Sequence, residues 1–167
     1  FAIPCMEAVR EIKRMVGDDL LLDPMAGTGY WASILHQAGI RIVASDITLT
    51  NDYGQLYKND FPVDTLDAVD AVRLAPQAHV LLCWPPYQTP VGTAVLDQLA
   101  PNRLVFYIGE GPGGCTGDDL FHHRLEDQFQ TLDTIPIPRF FGINDYLSVH
   151  KKIKPSGTPT KGTPGGR

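Results

Sequence analysis

The stretch that decides the fold is Leu20-Leu21-Leu22-Asp23-Pro24-Met25-Ala26-Gly27-Thr28-Gly29-Tyr30-Trp31. Residues 20–23 form a short apolar run ending in an acid, the kind of strand buried on both faces of a parallel sheet. Two glycines follow, and then Trp31, Ile34, Leu35 and Ala38 recur at helical spacing until Gly39. Glycine is needed where a backbone turns tightly and approaches a ligand with no Cβ in the way. The amino end of the helix adds a positive dipole and free N–H groups. The next strand, RIVASD (41–46), closes on Asp46, 17 residues after Gly29. A carboxylate there accepts hydrogen bonds from both hydroxyls of a ribose. The bland alternative is a bare strand-to-helix turn with a capping Asp46.

Working outward, strand and helix alternate over almost the whole chain. PCMEAVREIKRMVG (4–17) reads as a helix with Val9, Ile12 and Val16 on one face and Gly17 as its stop. Residues 47–62 are polar and mixed, with a helix expected around 53–58. A strand near 63–66 and a helix over DAVDAVRLA (67–75) lead into HVLLCW (79–84), a buried strand interrupted by Pro85-Pro86. Val95, Leu96 and Leu99 mark a helix stopped by Pro101, and RLVFYIGE (103–110) is a further strand. The glycine-rich GEGPGGCTGDD follows. Asp118 or Asp119 caps the next helix, whose Phe121, Leu125 and Phe129 share a face. Strands are expected around 133–137 and 146–152. Repeated strand–helix units imply an α/β fold, a parallel sheet with helices on both faces. Ligands of such sheets sit beyond the carboxyl ends of the strands, where these glycines lie.

At 167 residues the chain is the size of one domain. Residues 1–153 are expected to form it, with 154–167, KPSGTPTKGTPGGR, as a flexible basic tail. Hydrophobic residues at 43% and charged residues at 20% fit a soluble globular protein, and no apolar run nears the roughly 20 residues of a membrane span. The opening FAIPCMEAVREIKRM reads as an amphipathic mixture rather than a secretory signal. Because the first residue is Phe, the chain is expected to be a fragment or a processed product. The net charge of -5 is unevenly spread. Lys151, Lys152, Lys154, Lys161 and Arg167 follow His150 with no acid, leaving nine basic and 19 acidic residues before them. So acidic a body matches a nucleic-acid backbone poorly. Cys5, Cys83 and Cys115 are odd in number and far apart, which points to a reducing compartment, the cytoplasm by default. His122-His123 with Cys115 has no zinc spacing, so no metal is expected.

Two cofactors suit the glycine turn. Gly27-x-Gly29-x-x-Ala32 also satisfies the dinucleotide fingerprint, with Asp46 for an NAD ribose. The acid at Asp23, the Pro-Pro-Tyr after a later strand and the closing strand pair count against NAD. DPMAGTGYW resembles motif I of class I S-adenosylmethionine-dependent methyltransferases, an acid, three residues, Gly, any residue, Gly. It is close to the DPFAGSG form of amino-methylating enzymes. IVASD resembles the second motif, and LLCWPPY the fourth, Asn/Asp-Pro-Pro-Tyr/Phe. The order spans residues 1–150, and IP…GTGYWA…LLCWPP…YIGEG…TGDDLF also resembles little-characterised methyltransferase-like proteins.

The resemblance implies a Rossmann-like sandwich, a mostly parallel seven-stranded sheet with an antiparallel C-terminal strand. It implies S-adenosylmethionine as cofactor, held by Asp23, Ala26, Gly27, Thr28, Gly29, Asp46 and Asp67, with Asp64 competing for the adenine role of Asp67. It places Trp84, Pro85, Pro86 and Tyr87 at the reacting centre. In amine-methylating relatives the residue at position 84 accepts a hydrogen bond from the target nitrogen, but an indole nitrogen only donates. The Cys83 to Pro85 carbonyls remain as acceptors, and Tyr87 as a stacking surface. Glu110, in the glycine-rich segment after the fifth strong strand, is a candidate general base, and the segment itself a candidate substrate loop or lid. The expected function is methyl transfer to a protein side chain or small molecule, with nucleic acid and membrane disfavoured. The alternative is a domain that kept the fold, lost catalysis and serves as a binding or structural module.

Overall fold

The computed structural model describes residues 2–48, 50 and 58–153. Twelve elements are seen there. They are α1 (Met6–Val16), β1 (Leu21–Asp23), α2 (Tyr30–Gln37), β2 (Ile42–Asp46), β3 (Val63–Thr65) and α3 (Ala68–Leu74). Then come β4 (His79–Cys83), α4 (Val91–Gln98), β5 (Leu104–Gly109), α5 (Asp119–Gln128), β6 (Phe129–Pro136) and β7 (Tyr146–Lys152). The strands make one sheet in the order β3-β2-β1-β4-β5-β7-β6. β1 to β5 run parallel, and β7 lies antiparallel between β5 and β6.

Side-chain alternation along the strands explains why both faces are covered. Leu21, Ile42, Ala44, Leu81, Phe106, Ile108, Leu147 and Val149 pack with Ala8, Val9 and Ile12 of α1 and Trp31 and Leu35 of α2. Leu22, Val80, Leu82, Val105 and Tyr107 point the other way, onto the apolar residues of α3, α4 and α5. Burial of Val9, Ile12 and Val16 makes α1 stable, at roughly 1.5–3 kcal/mol for each fully buried aliphatic side chain. Gly17 at φ +59° ends it.

The expected elements recur with small shifts. Asp67 stands before α3 as its cap, accepting the Val69 and Asp70 amides, rather than inside the helix. Strand β6 begins at Phe129, earlier than the expected 133. Phe129 thus leaves the helical face it was assigned to, yet it stays in the same core as Phe121 and Leu125. A register shift between Thr131 and Asp133 interrupts the alternation that would have revealed the early start. The helix expected around 53–58 and the tail 154–167 lie outside the described residues, apart from Lys58. One feature was not visible in the sequence. Lys152 is fully buried, its Nζ donating to Leu96 O at the end of α4 and lying 5.3 Å from the Phe129 ring centroid. A cation there complements the negative end of the helix.

Candidate cofactor and acceptor site

Strand order reverses at β1, with β2 on one side and β4 on the other, and a crevice opens beyond their carboxyl ends. It holds a cavity of about 540 Å³. Asp23 to Thr28 line one part of it, and Asp46, Ile47, Thr48 and Asp67 another. Tyr30, Trp31, Ala68, Cys83, Trp84, Pro86 and Val91 complete the wall. Its size is that of an ordinary small-molecule site.

The two glycines of the turn have different tasks. Gly27, at φ +56°, has nothing within 4 Å of the place where a Cβ would stand, and it lines the cavity. Gly29, at φ +78°, does not line it. A Cβ there would come within 2.8 Å of Phe61 Cβ and 3.1 Å of Val63 Cγ2, so this glycine lets the turn pack against the segment entering β3. The turn is stitched to β2 twice. Ala26 N donates to Ser45 O at 3.0 Å, and Gly27 N donates to Asp46 Oδ2 at 2.8 Å. Thr28 donates to Asp60 through its hydroxyl, at 2.9 Å. The other Asp46 oxygen accepts from Thr48 N at 2.8 Å, an Asx turn that bends the chain after β2. A carboxylate has about four lone-pair sites. Two amides leave both Asp46 oxygens able to accept one hydroxyl each.

Asp23 is the electrostatic oddity of the site. Only 2% exposed, it has one oxygen, Oδ1, with no hydrogen-bond partner among the described residues. Burial raises its carboxyl to about pH 7, the Met25 backbone amide opposes that shift, and the negative charge of Asp46 adds to it. An acid so placed is set to receive a donor or a cation from the cavity it lines. Asp64 and Asp67 are both exposed, and of the two only Asp67 lines the cavity.

Beyond β4 the structure divides the Pro-Pro-Tyr segment. Trp84 and Pro86 line the cavity, Pro85 is buried, and Tyr87 lines a neighbouring cleft of about 290 Å³ with Gln88, Gly113, Gly114 and the start of α5. Tyr87, which the resemblance places at the reacting centre, is exposed and lines this cleft and not the main cavity. Trp84 and Gln88 both have left-handed backbones, at φ +54° and +53°. Reciprocal bonds hold the segment down, Gln88 N to Gly117 O at 3.0 Å and Gly117 N to Pro85 O at 2.9 Å.

Glu110 also stands apart from the main cavity. It is 5% exposed. Its two oxygens accept from Cys115 N and Asn144 N, each at 2.8 Å. Those amides hold its carboxyl below the usual range, which makes it a weak base. The glycine-rich segment expected as a lid is thus a pinned corner. Tyr107 Oη donates to Glu110 O, Thr116 Oγ1 accepts from Glu110 N, and a Cβ on Gly109 would meet Tyr107 Oη at 2.7 Å.

The sequence reading missed Asp145. It precedes β7, is 1% exposed, and accepts from Trp84 Nε1 at 2.9 Å. Burial raises its carboxyl and the indole bond opposes that. No periodicity or motif marks it, because it meets Trp84 across 61 residues of chain. Thr48, which lines the cavity, was not singled out either, although the Asx turn that places it needs only the local Asp46. Among the described residues there is no cluster of three His, Cys, Asp or Glu able to hold a metal ion, and no helix is long and apolar enough to cross a membrane.

This sheet order and crevice define a Rossmann-like fold of the class I methyltransferase type, and solved structures agree. No family model matches the sequence, and no curated protein is similar enough to align with it. The 1,6-didemethyltoxoflavin-N1-methyltransferase of Burkholderia thailandensis, solved with 1,6-didemethyltoxoflavin and S-adenosylhomocysteine bound, superposes with a TM-score of 0.61 at 16% identity. That match covers 89% of this chain and 78% of that one. The N-methyltransferase NodS of Bradyrhizobium japonicum WM9 gives 0.59 at 10% identity, over 89% of this chain and 93% of its own. An rRNA methylase of Streptococcus thermophilus gives 0.54 at 11%, over 91% and 98%. Identities this low carry the fold and nothing finer. The acceptors that two of these names indicate differ in kind, 1,6-didemethyltoxoflavin in one and an rRNA in the other.

Proposed function

We propose that this chain binds S-adenosylmethionine in the crevice at β1 and β2 and transfers its methyl group to a small molecule or a protein side chain. The observation that carries the reading is the linkage of Gly27 N to Asp46 at the rim of an open cavity, with Asp23 Oδ1 unpartnered beside it. The residues present fit such a cofactor. Gly27 leaves the space a Cβ would fill, Asp46 has lone pairs left for ribose hydroxyls, and Asp67 offers an acceptor for an adenine amino group. Asp23 would meet the ammonium of the methionine end. When bound, S-adenosylmethionine supplies an electrophilic methyl group on a sulfonium. The chain's own part is alignment and exclusion of water, since in-line transfer gains most from orientation. Glu110, Tyr87, Pro85 and Gly29 act in this reading as supports of the site. Trp84 and Pro86 face the acceptor.

A second reading, binding without transfer, is favoured by Trp84, whose indole nitrogen cannot accept a hydrogen bond from a target amine. The open space beside Gly27 argues for a working pocket. Formation of S-adenosylhomocysteine from S-adenosylmethionine, measured across a panel of small amines, phenols and peptides, separates the two. Turnover above the acceptor-free rate is expected. Cofactor binding with no turnover on any acceptor would favour the binding module.

A further inference from the structure

Away from the crevice, the β6–β7 hairpin carries a recess that the proposed function does not use. Strand pairing puts Tyr146, Ser148 and His150 of β7 on the sheet face shared by Tyr107 of β5, beside Thr131 and Thr134 of β6. The other face of β7 gives Leu147 and Val149 to the apolar core. Opposite the polar residues, α5 supplies a wall through His122, Leu125 and Glu126, and the space enclosed is about 190 Å³.

The floor of the recess is polar and yet covered. Ser148 is 2% exposed and His150 8%. A strand face left to solvent would be exposed, and one that only filled the core would be apolar, as Val105 opposite His150 is. Burial is tolerated here because the polar groups bond one another. His150 Nδ1 lies 3.1 Å from Thr131 Oγ1, and its Nε2 lies 2.7 Å from Ser148 Oγ. Burial pushes His150 down to about pH 4, so near neutral pH the ring bears no charge. A neutral imidazole donates at one nitrogen and accepts at the other. One of the two hydroxyls therefore gives its proton to the ring, and the other keeps an O–H to offer. Glu126 of α5, Thr134 of β6 and Tyr146 of β7 also line the recess, and their side chains make no hydrogen bond among the described residues.

We propose that this recess is a second binding site, and that its ligand is a small uncharged polyol. Hydroxyl groups both donate and accept, which is what Thr131, Thr134, Tyr146 and Ser148 can answer. At about 190 Å³ the space lies below the roughly 300–1,000 Å³ of drug-sized sites, so the ligand is small. Charge decides against ions. No Lys or Arg lines the recess among the described residues, and a buried charge is costly unless it is paired. Glu126, the one acid in the lining, is exposed, so water and salt screen its attraction for a cation. The two cavities have no lining residue in common, so this site stands whether or not the crevice transfers methyl groups.

Nuclear magnetic resonance on the isotopically labelled full chain tests this with D-sorbitol, D-glucamine and D-gluconate, one carbon chain with a neutral, a cationic or an anionic end. Sorbitol is expected to shift the Ser148 and His150 amides saturably, with a Kd on the order of 1 mM, and to bind at least about tenfold more tightly than either charged probe. The shifts should be the same with and without S-adenosylhomocysteine. Thr134→Val and Tyr146→Phe each remove a hydroxyl that bonds nothing else among the described residues. Both should unfold thermally as the parent does, and each should weaken sorbitol about two- to tenfold. Glu126→Gln, which removes the charge and keeps an acceptor, should leave sorbitol affinity unchanged. Absence of a saturable shift, or affinity for a charged probe equal to that for sorbitol, would overturn the proposal. So would full affinity in both Thr134→Val and Tyr146→Phe, or loss of the shifts when S-adenosylhomocysteine is added, which would put sorbitol in the crevice instead.

Discussion

Replacing Asp23 by asparagine should stabilise the ligand-free protein and weaken its hold on S-adenosylmethionine, and pH should govern the stability gain. The carboxyl lies at about pH 7 in the folded chain against an ordinary 3.8, chiefly because it is 2% exposed. An acid whose folded value is raised binds its proton more tightly folded than unfolded. Between about pH 4 and pH 7 the folded state therefore holds more protons, and stability falls as pH rises through that window. The penalty is absent below it and complete above. A shift of about three units at about 1.4 kcal/mol each puts the full penalty on the order of 4 kcal/mol. Asparagine keeps an oxygen for the Met25 amide and has no proton to lose. Urea unfolding of both proteins at pH 5, 6, 7 and 8 should show Asp23→Asn gaining on the parent by an amount that grows with pH. A constant difference across that range would refute the reasoning, because a merely steric effect has no such slope. Affinity should move the other way. A cation settling beside Asp23 favours the ionised acid, so parent affinity for S-adenosylmethionine should rise with pH up to about 7. Asp23→Asn should lose that rise.

The two glycines should separate binding from stability. Gly29→Ala puts a methyl 2.8 Å from Phe61 Cβ at φ +78°, so a loss of roughly 1–3 kcal/mol in unfolding free energy is expected. Gly27→Ala meets no atom within 4 Å, so thermal unfolding should register mainly the milder backbone strain while cofactor affinity falls further than in Gly29→Ala. Equal losses of affinity in the two would mean the turn has been read wrongly. Glu110→Gln should cost roughly 1.5–3 kcal/mol at neutral pH through weakened bonds to the Cys115 and Asn144 amides. Because the Glu110 carboxyl is lowered on folding, that contribution is present above about pH 4.5 and is lost on acidification. Acid unfolding curves of the variant and the parent should accordingly converge. Turnover that disappears in Glu110→Gln, with cofactor binding intact, would restore it as a base.

The part of the fold that was legible in sequence is the part set by local rules. A short apolar strand, a glycine turn, a helix stripe and a second strand ending in an acid each leave a periodic trace, and β1, α2 and β2 fall where those traces put them. Strand β6 was read short because the shift between Thr131 and Asp133 breaks its alternation. The site was legible in the same proportion. Asp23, Gly27, Asp46 and Asp67 meet at one cavity. Gly29 is needed for a contact with Phe61 that no pattern encodes, and Tyr87 turns into the neighbouring cleft because Gly117 bonds the residues beside it. Asp145 and the clamp made by Glu110 arise from long-range pairing, which leaves no mark in either segment alone.

The most direct measurement is a calorimetric titration of the full chain with S-adenosylhomocysteine, beside NAD as a control and with Gly27→Val as the blocked cavity. One site for S-adenosylhomocysteine, none for NAD, and loss of the site in a Gly27→Val protein that still unfolds cooperatively are expected. No binding by the parent, or binding undiminished in Gly27→Val, would contradict the assignment of the crevice at Gly27 and Asp46 as the cofactor site.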